Sequence, residues 1–177
     1  MDHKCISFLL KIGDQRYRES HGLYFEDFEV GDVYEHRPGR TITDSDNIWQ
    51  SLLHMNSHPL HIDHEYARLT EFGRPLVSSL VTFSIVGGLS LASTSARGIA
   101  NLGWKNVHLT GPVFVGDTLY AESKVLAKRA SRSRPGQGIV TMETRGLKQD
   151  GAECLVWERS FLVPFRSASS EAAVEQS

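Results

Sequence analysis

The segment PLVSSLVTFSIVGGLSLAST, residues 75–94, is the longest apolar run in this chain of 177 residues, and its reading decides the fold. No turn signal appears until Ala96, Arg97 and Gly98, so the run is too long for one strand and lacks the break that two buried strands would need. A helix is the better reading, with Pro75 suited to a first turn whose N–H groups have no intrahelical partner. Leu76, Leu80, Phe83 and Leu91 then fall near one face, and Val77, Val81, Ile85 and Gly88 near another. A helix apolar on most sides is expected to be buried on most sides.

The flanking sequence supplies what could bury it. Downstream, WKNVHLTGPVFVGDTLYAESKVLA reads as two strands joined around Pro112 and the Gly116-Asp117 turn. Leu119, Ala121, Ser123, Val125 and Ala127 alternate there with polar residues. A polar loop, RASRSRPGQG, precedes the strand GIVTMETRGLKQ, and Asp150-Gly151 is a hairpin signal. The last strand, ECLVWERSFLVPF, sets Leu155, Trp157, Phe161 and Val163 on one face. Upstream, YFEDFEVGDVYEHR reads as an early strand with a turn at Gly31-Asp32. A helix is expected over 44–53, with Thr43 as N-cap and Asp46 three residues on. Pro59 disfavours helix at His58, and helical character resumes from about Asp63. This order of elements predicts an α+β architecture, a curved antiparallel sheet around one long buried helix. Residues 22–166 form the expected domain, 1–21 a frayed extension and 167–177 a disordered tail.

The bulk properties narrow the function classes. One domain of this length can bury a real core, and a formal net charge of -2 gives no reason to expect a nucleic-acid partner. No segment reaches the roughly 20 apolar residues of a membrane span, so no membrane partner is expected. Cys5 and Cys154 form no framework, which fits a reducing, cytoplasmic setting.

The stretch HMNSHPLHIDH, residues 54–64, holds four of the eight histidines. A zinc set from His54, His58, His61 and His64 is interrupted by Pro59, and no acid or cysteine cluster completes it, so no metal is expected. Ser78 and Ser79 lack the Gly-x-Ser-x-Gly setting of a nucleophile. Arg129, Arg132 and Arg134 form a basic cluster, read either as a solvated hairpin loop or as a contact for phosphate or carboxylate.

The segments TITDSDN, HMNSHPLHIDHEYARLTEFGRPLV and GPVFVGDTL, taken together, resemble the MaoC-like family of enoyl-CoA hydratases and dehydratases, which have the hotdog fold. The resemblance runs over roughly residues 24–165, and MNSHPLH with SRPGQGIVTMETRG is similar to the branch acting on mesaconyl-CoA and itaconyl-CoA. It implies reversible hydration of a short, branched dicarboxylic enoyl-CoA, with coenzyme A part of the substrate and no separate cofactor. It also implies at least a homodimer, with sites near the subunit interface. Carried over residue by residue, His61 matches the catalytic histidine. Asn56 stands where the family has a catalytic Asp, and His58 replaces the Asn of the motif. The backbone N–H of Ser79 takes the oxyanion position, with Ser78, Arg74, Arg132 and Arg134 as candidate substrate or coenzyme A contacts.

An amide can position a water but cannot take its proton. The missing acid leaves three repairs open: His61 carries all protons, His58 or Asp63 is a second group, or the substrate supplies a carboxylate. Two other readings also stay open, an acyl-CoA thioesterase and a non-catalytic thioester-binding subunit, the latter favoured by Asn56.

Overall fold

The computed structural model describes residues 8–168. Cys5 and the expected tail beyond Ala168 lie outside them. The described chain opens with a small antiparallel hairpin, β1 (Leu9–Gly13) and β2 (Arg16–Glu19), where the sequence suggested a frayed extension. A 3-10 turn (Phe25–Asp27) follows, so the apolar residues around Phe25 and Phe28 do not form the expected early strand. The strand begins only after the turn, as β3 (Val33–Thr41).

Three helices come next. In α1 (Asp44–Leu53) the expected bounds and cap are both found. Asp46 N–H donates to Thr43 Oγ1 and Thr43 N–H donates to Asp46 Oδ2, which satisfies donors that the first turn cannot use itself. The guanidinium of Arg40 adds an ion pair to Asp46 at 2.7 Å. Pro59 starts a short helix of its own, α2 (Pro59–Ile62), and Asp63 caps α3 (His64–Arg68) by accepting from Glu65 and Tyr66 N–H.

The long helix is shorter than the sequence suggests. Leu76 N–H donates to Leu60 O, and Val77 N–H donates to Val113 O at 2.8 Å. Their donors are therefore taken by distant segments, the backbone stays extended, and α4 spans Ser79–Ser90. One wide π turn, Leu91–Ser95, continues it. Burial is also one-sided. Val81, Thr82, Val86 and Ser90 are buried, whereas Leu80 is 52 % exposed and Leu91 50 % exposed. The expectation of burial on most sides does not hold for a single chain.

The remaining strands are β4 (Ala100–Leu109), β5 (Thr118–Ala130), β6 (Gln137–Lys148) and β7 (Glu153–Pro164). All pairs are antiparallel in the order β3-β5-β6-β7-β4, so β3 and β4 are the two edges. Alternate residues of β5 and β6 point inward, as the period-2 pattern requires.

Two apolar clusters fill the inner face. One, against α4, includes Val81, Val86, Leu119, Ala121, Leu155 and Trp157. The other includes Leu23, Phe28, Val125, Met142, Phe161 and Val163. Between them runs a polar seam. His36 is buried, with Nδ1 2.6 Å from Ser93 Oγ and Nε2 2.8 Å from Ser123 Oγ, and Ser123 Oγ is 2.8 Å from Thr144 Oγ1. Arg159 lies beside this row and donates to Ser95 Oγ on the π turn. Among the described residues, no helix is long and apolar enough to cross a membrane.

Candidate active site

The site is assembled where α1, α2 and the start of α4 meet. His54 closes α1, and Met55 takes a left-handed φ of 60°, a turn that brings Asn56 back so that its N–H donates to Ser51 O. The Asn56 side chain is held at both ends. Its Oδ1 accepts from His58 N–H at 3.2 Å, and its Nδ2 donates to Ser78 Oγ at 3.4 Å.

The two neighbouring histidines are held in opposite protonation patterns. His61 Nδ1 lies 2.8 Å from Leu76 O. A carbonyl only accepts, so Nδ1 carries the proton of the neutral ring and Nε2 keeps a free lone pair. His58 caps α2, and Leu60 N–H donates to its Nδ1 at 3.2 Å, which places the neutral ring's proton on Nε2. The two ring centroids are 5.8 Å apart. His61 thus offers a base, and His58 a hydrogen-bond donor.

The other polar residues of the motif are engaged elsewhere. Asp63 is committed to capping α3. His64 Nε2 lies 3.0 Å from Asp44 Oδ1, and His54 is exposed. Among the described residues, no three His, Cys, Asp or Glu side chains converge as a metal ligand set.

At the start of α4, Ser78 is buried and its N–H donates to Asn47 Oδ1 at 3.0 Å. Ser79 is the first residue of the helix, where N–H groups have no intrahelical acceptor and the helix dipole favours negative charge. Ser79 also lines a cleft of about 350 Å³ with Phe72, Leu76, Thr82, Leu109 and Val113. One turn further, Phe83 packs on Trp157 (centroids 4.7 Å) and Trp104 (5.5 Å), an aromatic group just beyond the cleft.

Arg74 lies over the Phe114 ring at 4.0 Å, and Phe114 in turn packs on Phe72 of the cleft wall. No carboxylate among the described residues forms an ion pair with it. Arg132 and Arg134 are not brought to this place. They follow the far end of β5, a 13-residue strand whose other end adjoins Asp117; at 3.3 Å per residue that is about 40 Å of contour.

The sequence reading missed Asn47, a fully buried member of α1 whose Nδ2 donates to both His61 O and Leu76 O. Its signal was faint but present. Asn is a poor helix-interior residue, and one on a buried face must find partners.

A five-stranded antiparallel sheet around one helix whose N-terminus lines a cleft, with a histidine bonded to the Leu76 carbonyl of the cleft wall, defines a hotdog domain of the MaoC-like dehydratase class. A MaoC-like dehydratase from Rhodospirillum rubrum superposes with a TM-score of 0.72 at 30% identity, covering 82% of this chain and 99% of that one. A Mycobacterium tuberculosis protein with a double hotdog fold gives 0.74 at 25% identity, over 85% of this chain and 46% of that one. A mesaconyl-CoA hydratase of Cereibacter sphaeroides is 32% identical over 85% of this chain. The family profile for mesaconyl-CoA hydratase matches residues 2–176, and the chain belongs to that family. It spans about half the length of the curated relatives it matches, 44% in the Cereibacter case.

Proposed function

We propose that this protein adds water reversibly across the double bond of a short, branched dicarboxylic enoyl-CoA of the mesaconyl-CoA or itaconyl-CoA type. The observation that carries this reading is the His61 Nδ1–H bond to Leu76 O, which leaves the Nε2 lone pair unshared on a ring tied to the segment that leads into α4. In the hydration direction His61 Nε2 takes a proton from water as the hydroxyl oxygen bonds to the β carbon. The π electrons move toward the thioester, and the enolate oxygen accepts from Ser79 N–H. His61 then returns its proton to the α carbon. Atoms and charge balance with one proton carrier, so neither an acid at position 56 nor a separate cofactor is needed. Asn56, and His58 through Nε2–H, orient the water.

A cleft of about 350 Å³ followed by Phe83 suits a short acyl group. Arg74, whose guanidinium has no carboxylate partner among the described residues, suits the substrate's distal carboxylate or a coenzyme A phosphate. The protein works as a homodimer. Edge strand β4 exposes Leu102, Trp104, Val107 and Leu109, α4 exposes Leu80, and the π turn after it exposes Leu91. A second copy would restore the length of the double relatives. We place the activity in the cytoplasm, in keeping with the reduced, buried Cys154.

The test is a panel of mesaconyl-, itaconyl- and crotonyl-CoA, followed by enoyl absorbance and by free thiol. Loss of absorbance with the thioester intact, abolished in His61→Ala, supports the reading. Near-normal rates in His61→Ala sink it. Thiol release would identify a thioesterase, and binding without turnover a non-catalytic subunit.

A further inference from the structure

We infer that Asn47 is a positioning residue that locks the proton carrier and the oxyanion donor into one unit. This rests on reading His61 as the proton carrier. Asn47 is fully buried, and its amide is used from both ends. Nδ2 donates to His61 O at 2.9 Å and to Leu76 O at 3.1 Å, which uses both amide protons. Oδ1 accepts from Ser78 N–H at 3.0 Å. One side chain on α1 therefore grips the main chain of α2, the segment leading into α4, and Ser78, the residue that caps α4.

The pattern of partners distinguishes this from an ordinary tie between elements. Both protons of Nδ2 go to groups that define His61: its own carbonyl, and the carbonyl that accepts its Nδ1–H. The Leu76 oxygen thus receives two donors, and its position relative to the imidazole is fixed before any substrate arrives. The grip on Ser78 also decides which helix donor remains for substrate. Leu76, Val77 and Ser78 N–H are all spent on protein acceptors, and Thr82 N–H returns to Ser78 O. The first donor left for a thioester oxygen is Ser79, which lines the cleft. Only a primary amide of this length satisfies all three contacts. An Asp would set a carboxylate against two carbonyl oxygens, a Leu would leave Ser78 N–H buried and unpaired, and a Gln would overfill a site with no exposed surface.

The test compares Asn47→Ala and Asn47→Asp with the intact chain, using whichever enoyl-CoA of the panel is turned over. The imidazole nitrogen NMR shifts of His61 are measured in parallel. Misplacement of the proton carrier lowers kcat on the order of 100-fold, with KM nearly unchanged. The His61 shifts move away from a single Nδ1–H tautomer. A folded Asn47→Ala with wild-type kcat and unaltered imidazole shifts overturns the proposal. Should that variant fail to fold, Asn47→Asp, which keeps the volume and the Oδ1 acceptor, decides on the same readouts. The NMR readout separates the two readings. Altered shifts in a protein that hydrates nothing leave the positioning role standing and remove the hydratase, whereas unaltered shifts remove the positioning role alone.

Discussion

His36 sits beneath the π turn with both ring nitrogens bonded to serine hydroxyls. Burial, with the charges of Arg37 and Arg159 nearby, pushes its pKa down from 6.5 to about 4. The unfolded chain therefore binds this proton before the folded one does. Stability from this group is complete above pH 6.5 and is lost as pH falls from 6.5 through 4, to a limit on the order of 3 kcal/mol. Replacing His36 by Gln should flatten the melting temperature between pH 6.5 and 4.5, measured by calorimetry; an unchanged slope would assign the acid sensitivity to other groups. Asn56 makes a different prediction. As a water-orienting amide it acts mainly in the transition state, so Asn56→Ala should lower kcat more than it raises KM. A pure KM effect in steady-state kinetics would remove it from the chemistry. His61 was legible in the sequence because HPLH places a titratable ring in a recognisable setting. Asn47 and His36 were not, because their roles depend on carbonyls and hydroxyls 14 to 87 residues away.

The elements divide along the same physical line. The bounds of α1 could be read directly, since the Thr43 and Asp46 cap is a local interaction four residues long. The start of α4 could not, since Leu76 and Val77 are held extended by Leu60 O and Val113 O, contacts that no local pattern encodes. The hairpin of β1 and β2 escaped notice because its strands are short and its residues mostly exposed. How α4 lies on the sheet turns on one small residue. A Cβ added at Gly146 of β6 would come 2.8 Å from Val86 Cγ2 of α4 and 3.3 Å from Cys154 Sγ. Gly146→Ala should cost about 1–3 kcal/mol by overpacking, read from denaturant unfolding. A neutral result would mean that α4 can ride away from the sheet at no cost. Cys154 itself, whose thiol burial pushes up to about 11, should stay inert to thiol reagents in the folded chain.

At the scale of the whole molecule, the sequence reading found the sheet and its helix, and missed that one side of that helix is left uncovered by its own chain. Leu80 of α4, Leu91 of the π turn and Trp104 of β4, 46 % exposed, mark that side. If a second copy covers it, the double variant Leu102→Glu/Trp104→Glu should sediment as a monomer, and wild type as a dimer. A monomeric wild type at micromolar concentration would refute the homodimer. The polar seam carries a separate consequence. The two apolar clusters are separate, and hydroxyls, an imidazole and a guanidinium lie between them. Cavities made in different clusters should therefore be thermodynamically independent. Val86→Ala and Val163→Ala, combined, should cost the sum of the two single losses within a few tenths of a kcal/mol. Damage on one side of the seam is then not transmitted to the other, and the acyl cleft is insulated from sequence drift around Phe28 and Phe161.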